Sequence, residues 1–195
     1  MDTPVNTPVL NRRGFLIAAA GTGVAFSFLT ACTTETASTA PPFEPTQWFA
    51  IDNNGIVTVN VIRAEMGQHV GTSLARILAD ELEVPWENVR INHVDSDPKW
   101  GLMVTGGSWS VWQTYPLYSQ AGAAGRMALI EAGAKELGVD PSTCKAENGE
   151  IVSGGKKVSY KALVRKGVSK SYTPEELAKD LGRSTSDVLS KRIKG

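Results

Sequence analysis

Two apolar-rich runs, Trp48-Phe49-Ala50-Ile51 and Ile56-Val57-Thr58-Val59-Asn60-Val61, flank Asp52-Asn53-Asn54-Gly55. β-Branched and aromatic residues suit a pleated strand, and Asn-Gly favours the positive φ of a tight turn, so the pattern predicts a β-hairpin. The period then changes. Leu74, Ile77, Leu78, Ala79 and Leu82 recur at helical spacing, which predicts a helix from Val70 to Leu82 with Arg76, Asp80 and Glu81 turned to water and Pro85 ending it. Val89-Arg90-Ile91-Asn92-His93-Val94 alternates again and predicts a strand. Residues 95–110 read as loop. A second helix is expected from about Leu117 to Leu137, followed by a short β-region around Ile151, Val152 and Val158 with turns at Gly149 and Gly154-Gly155.

This order predicts an α+β fold, a small and mostly antiparallel sheet packed with two main helices. Gly122 and Gly125 fall inside the second helix. Each costs about 1 kcal/mol against Ala in a helix, which points to a packing or ligand reason for both.

The two ends differ from this block. Asn11-Arg12-Arg13-Gly14-Phe15-Leu16 is a twin-arginine signature, and Ile17–Ala31 is an uncharged run rich in Ala, Gly and Thr. That run is short of the roughly 20 apolar residues a membrane span needs, and it fits the h-region of a signal peptide. It closes on Leu29-Thr30-Ala31-Cys32, a lipobox pattern in which the cysteine becomes the acylated first residue. The expectation is therefore a leader over residues 1–31, export by the twin-arginine pathway, and a periplasmic protein anchored to the membrane through lipid on Cys32. Residues 32–46, polar and Pro-bearing, read as a disordered tether, and 47–165 as the folded domain. From Lys161 on, Lys, Arg and Ser dominate. Thr173-Pro174-Glu175-Glu176 is a helix start, with Thr as cap, Pro at the first helical position and Glu closing the capping box, so 166–195 reads as a helical linker or tail.

Composition narrows the function classes. The 195 residues carry 20 basic and 20 acidic side chains; without residues 1–31 the remainder has 18 and 19, net −1. No broad positive field exists to hold nucleic acid. Cys32 and Cys144 are the only cysteines and His69 and His93 the only histidines. Neither an iron–sulfur site nor a His-based metal site can be built from so few.

Two loops carry candidate chemistry. Glu65-Met66-Gly67-Gln68-His69 lies between a predicted strand and helix, where a glycine lets backbone approach a ligand and the helix start offers N–H groups to an anion. Thr105-Gly106-Gly107-Ser108-Trp109-Ser110 combines paired glycines with hydroxyls, a composition that cradles phosphate through backbone amides.

In this order, Glu-Met-Gly-Gln, the helix with Leu-Ala and Ala-Asp-Glu-Leu, Trp86, Val89, Thr-Gly-Gly-Ser and Gln-Ala-Gly-Ala resemble the large, molybdopterin-binding subunit of the xanthine dehydrogenase/aldehyde oxidase family, isoquinoline 1-oxidoreductase β-subunit type. The resemblance covers about residues 12–165. It implies that Met66, Gly67 and Gln68, with Gly106, Gly107 and Ser108, line the pterin and phosphate end of the molybdenum cofactor or its dinucleotide form, with Ser110 beside them. It implies oxidation of an aldehyde or N-heterocycle with oxygen from water. It also implies partners: a [2Fe-2S] subunit, a cytochrome c electron acceptor, and the remainder of the large subunit. No protein ligand to molybdenum and no catalytic base is expected within this chain, which reads as an N-terminal fragment of such a subunit. Two departures stand out. The family's Gly after the Gln is His69 here, and Trp109 and Trp112 are bulkier than the residues usual after Gly-Gly-Ser, so both are expected to reshape the pocket.

Two alternatives compete. One is a non-catalytic lipoprotein domain that keeps the fold without the cofactor. The other comes from the tail, where Ala178, Gly182 and Val188 have helix-turn-helix spacing and resemble small repressor DNA-binding units.

Overall fold

A computed structural model describes residues 40–172. The twin arginines, Cys32 and the Thr173 helix start lie outside the described residues. A four-stranded sheet runs in the order β1 (Phe43–Thr46), β2 (Phe49–Ile51), β3 (Val57–Val61), β4 (Val89–His93). Helix α1 (Val70–Leu82) connects β3 to β4, and helix α2 (Ser110–Leu137) follows. A three-stranded antiparallel sheet, β5 (Lys145–Glu147), β6 (Glu150–Ser153) and β7 (Lys156–Ser159), precedes the short helix α3 (Tyr160–Arg165). Among the described residues no helix is long and apolar enough to cross a membrane.

The hairpin forms as its alternation predicts. Phe49 faces Val59 and Ile51 faces Val57 across an antiparallel pair, with all four side chains buried. Asp52 closes the turn by accepting hydrogen bonds from the amides of Asn54 (2.8 Å) and Ile56 (2.9 Å). α1 has the predicted bounds. The β3–β4 pair is parallel, in register from Val57↔Val89 to Val61↔His93, so β3, α1 and β4 form a βαβ crossover within an otherwise antiparallel sheet.

Four sequence expectations need correction. Order begins before the predicted tether boundary at 46, because Phe43–Thr46 pairs with β2 and Phe43 is fully buried. Pro45 is tolerated there since β1 is the sheet's edge strand. α2 begins at Ser110 and carries Pro116 inside it, seven residues earlier than the expected start. Glu81 is buried against α2, where Ser119 Oγ donates to its carboxylate (3.0 Å) and Arg126 stands 3.6 Å away. The described part of the 166–195 tail, residues 166–172, is irregular and lies along α2: Lys170 pairs with Glu131 and Lys166 with Glu136.

Gly122 and Gly125 have a packing reason. A Cβ on Gly122 would stand 2.6 Å from the Leu78 carbonyl oxygen, and one on Gly125 would meet Phe49 at 2.5 Å. α1 and the hairpin therefore press directly on the α2 backbone. Tyr118 fixes the other end of that contact. Its hydroxyl donates to the Asn60 carbonyl (2.8 Å) and accepts from the Ile62 amide (3.3 Å), and burial pushes its pKa up to about 12. The start of α2 is thus pinned to the end of β3.

Candidate functional site

Parallel strands leave a sheet at the same edge. Because β3 and β4 are parallel, the segments that follow them, 62–69 and 94–109, emerge side by side although they are about 40 residues apart in sequence. Thr105 joins them, its Oγ1 accepting from the Ala64 amide at 2.8 Å. Between them lies a pocket of about 310 Å³ lined by Met66, Gln68, Val70 and Ser73 on one side and Thr105–Ser108, Ser110 and Val111 on the other. Five of the six sequence-predicted residues, Met66, Gln68, Gly106, Gly107 and Ser108, line it. Gly67 sits in the same first loop without lining the pocket.

The two loops are built differently. In the first, the Glu65 carboxylate accepts from the amides of Gly67 (2.9 Å), His69 (2.9 Å) and Gly71 (3.2 Å). These bonds, that to Gly71 foremost, hold its pKa below the usual carboxylate range. Gln68 folds back on the same loop: its Nε2 donates to the Ala64 carbonyl (2.7 Å) and its Oε1 accepts from the Met66 amide (2.6 Å). Glu65 thus acts as an internal anion for three of the N–H groups this loop and helix start were expected to offer, while the amides of Gln68 and Val70 donate to no acceptor among the described residues. The sequence reading assigned Glu65 no such role. Its position four residues before the helical cap and six before Gly71 is the signal.

His69 is the N-cap of α1 and adopts φ 60°, ψ 29°, the left-handed region that glycine enters freely. A histidine in this region strains the backbone. Its side chain is exposed and does not line the pocket.

The second loop turns on Gly107 and Ser108, at φ 59° and 56°, and the Trp109 amide donates to the Gly106 carbonyl at 3.4 Å. Among the described residues, the amides of Gly106, Gly107 and Ser108 donate to no protein acceptor. Trp109 packs on Gly107: a Cβ there would lie 2.9 Å from the indole Cδ1. Neither Trp109 nor the exposed Trp112 lines the pocket; Trp109 acts on its shape from behind, through Gly107.

Arg63 went unnoticed in the sequence. It continues the every-second-residue phase of the buried Val57, Val59 and Val61, and a residue in that phase points inward. Its guanidinium donates to the carbonyls of Leu102 (3.2 Å) and Val104 and to Gln113 Oε1 (2.6 Å), and stands 5.6 Å from the Trp109 ring. Desolvation lowers its pKa, yet a guanidinium stays protonated at any working pH.

The donor set fits a ligand with an anionic end, and the wall beside it accepts an apolar surface. Three unclaimed amides and the hydroxyls of Ser108 and Ser110 suit a phosphate; Met66, Val70 and Val111 supply apolar wall.

Comparison with known proteins gives this geometry a context. A membrane-bound aldehyde dehydrogenase [pyrroloquinoline-quinone] of Gluconacetobacter polyoxogenes is 52% identical over 181 residues, which cover 87% of this chain and 23% of that protein. The isoquinoline 1-oxidoreductase subunit beta of Brevundimonas diminuta is 30% identical over 156 residues, 73% of this chain and 20% of that subunit. The chain thus spans about a quarter or less of the length of these relatives. Among solved structures, quinoline 2-oxidoreductase from Pseudomonas putida 86 matches 60% of this chain and 15% of its own at 22% identity, with a TM-score of 0.48. A family model described as the molybdopterin cofactor-binding domain matches residues 7–185. That match takes in the whole of the described fold and both loops, and the chain belongs to the molybdopterin cofactor-binding domain family.

Proposed function

We propose that this chain forms one wall of the cofactor cleft in the large subunit of an exported molybdenum hydroxylase that oxidises an aldehyde or an N-heterocycle. One observation carries the reading: two loops leave the same edge of a parallel strand pair and share a pocket lined by three consecutive residues, Gly106, Gly107 and Ser108, whose amides are unclaimed. In this reading the amides of Gly106, Gly107 and Ser108 and the hydroxyls of Ser108 and Ser110 hold the cofactor's phosphate end. Met66, Gly67 and Gln68 border the pterin. The bound cofactor supplies the two-electron oxidation, with water as the source of oxygen. The chain's own part is to bind and orient that group, and its amides, fixed before the ligand arrives, stabilise charge without reorganising.

The rim of the pocket supports a partner in the remainder of a large subunit. Five of the six large hydrophobic side chains exposed among the described residues, Met66, Leu102, Val104, Val111 and Trp112, lie on the two loops and the first turn of α2. We propose further that a [2Fe-2S] subunit and a cytochrome c take the electrons, and that the protein is exported through Arg12-Arg13 and anchored in the periplasm through acylated Cys32. The relative named as membrane-bound favours the anchored form. Mass spectrometry of the mature N-terminus tests the leader: acylated Cys32 as first residue is expected, and an unmodified Cys32 in a chain starting at Met1 would contradict it.

The cofactor reading is tested in a chimera in which this chain replaces the matching segment of the Gluconacetobacter polyoxogenes protein. The chimera is expected to carry molybdenum and a pterin and to oxidise aldehydes with an artificial electron acceptor, while the chain alone turns over neither aldehydes nor N-heterocycles. A chimera that folds with pyrroloquinoline quinone and no molybdenum would overturn the assignment.

A further inference from the structure

We propose that Arg63 is the positioning residue of the second loop, a buried clamp that holds Gly106–Ser108 in ligand-ready shape from behind. The proposal rests on the cofactor reading for its consequence and on geometry alone for its mechanism.

Three sets of contacts converge on one side chain. Arg63 stands two residues beyond the end of β3, just past the last bond of the strand pair, which the Val94 amide makes to the Val61 carbonyl. Its two terminal nitrogens reach the carbonyls of Leu102 and Val104, in the loop just upstream of Thr105, and the Oε1 of Gln113, in the first turn of α2. The guanidinium carbon also stands 5.6 Å from the Trp109 ring, whose indole in turn packs on Gly107. Arg63 therefore holds the chain on both sides of the glycine turn and reaches the turn itself through Trp109, from outside the pocket, which it does not line.

The loop itself has little else to hold it. Its internal backbone hydrogen bond, Trp109 to Gly106, is long at 3.4 Å, and its remaining tie to the first loop is the Thr105 hydroxyl. A loop whose amides must stay free for a ligand cannot use them for its own order. An external fork that bonds carbonyls instead of amides solves that problem, because it fixes the chain beside the turn and leaves the amides of Gly106, Gly107 and Ser108 unclaimed. Arg63 also makes no ion pair with any acid among the described residues. Its positive charge therefore meets carbonyl dipoles and the Trp109 ring in place of a carboxylate, and it adds to the attraction of the loop for an anion.

A lysine keeps the charge and loses the planar fork, so Arg63→Lys separates the two contributions. The test uses the full chain without cofactor, followed by hydrogen exchange, with Arg63→Lys, Arg63→Met and the exposed Gln113→Ala compared with wild type. Amides over 102–109 are expected to exchange about tenfold faster in Arg63→Lys and Arg63→Met, and less so in Gln113→Ala, while the hairpin 49–61 stays at its wild-type rate. Placed in the chimera, Arg63→Lys is expected to lower molybdenum content several-fold. Unchanged exchange over 102–109 in all three variants would overturn the clamp. So would equal acceleration in the hairpin, which would make Arg63 an ordinary core residue. If the wild-type chimera itself holds no molybdenum, the cofactor reading fails, and the exchange data on the unloaded chain still decide the clamp.

Discussion

The two loops that share the pocket solve the same problem in opposite ways. The first closes on itself. Glu65 and Gln68 satisfy the amides of Met66, Gly67, His69 and Gly71 with side chains from the loop's own sequence. The second is held from outside by Arg63, which also stands against the loop's own Trp109, and keeps the amides of Gly106, Gly107 and Ser108 unclaimed. A glycine-bearing loop before a helix is therefore not by itself an anion site. What matters is how many donors the chain has already used, and on that ground we propose the second loop, with three consecutive unclaimed amides, as the binding loop and the first as a wall beside it.

The largest break in this contrast comes from Gly107→Val. A branched side chain at φ 59°, with its Cβ 2.9 Å from the Trp109 indole, is expected to cost about 2 kcal/mol of stability or more. In the chimera it should remove most of the bound molybdenum, measured by elemental analysis alongside a melting curve.

Glu65→Gln comes next, and pH sharpens it. Glu65's folded pKa lies below its ordinary value, so its contribution is present above the ordinary carboxylate range and is lost as pH falls through the folded value. The amide resonances of Gly67, His69 and Gly71 are therefore expected to titrate together, with a midpoint below the usual glutamate range. In Glu65→Gln that transition should vanish, and in both proteins Gly106–Ser108 should not follow it.

His69→Gly relieves a left-handed non-glycine residue and is expected to raise stability by about 1 kcal/mol in chemical denaturation. The smallest effect belongs to Gln68→Ala. It removes two hydrogen bonds on an exposed side chain, worth about 0.5 kcal/mol, and should lower molybdenum content in the chimera less than Gly107→Val without unfolding the protein.

Much of the scaffold was legible in the sequence because burial there follows a simple period. α1 and the hairpin read correctly from alternation and helical spacing. Misreadings came where polarity or proline had a tertiary explanation. Glu81 read as solvent-facing because it is charged, yet Ser119 and Arg126 meet it inside. Phe43–Thr46 read as tether because prolines surround it, yet an edge strand accepts Pro45. Both candidate loops were visible from their glycines and neighbouring helices. Their convergence was legible as well, since a strand at Val89–Val94 that pairs with the hairpin brings the second loop alongside the first. Which donors each loop keeps was hidden, since that turns on where the side chains of Glu65, Gln68 and Arg63 reach.

Hydrogen exchange on the chimera, with and without its cofactor, tests the central claim most directly. The account predicts that loading protects the amides of Gly106, Gly107 and Ser108 and leaves Gly67, His69 and Gly71, already bonded to Glu65, at their unloaded rates. Protection that appears at Gly67–Gly71 and not at Gly106–Ser108 would contradict it.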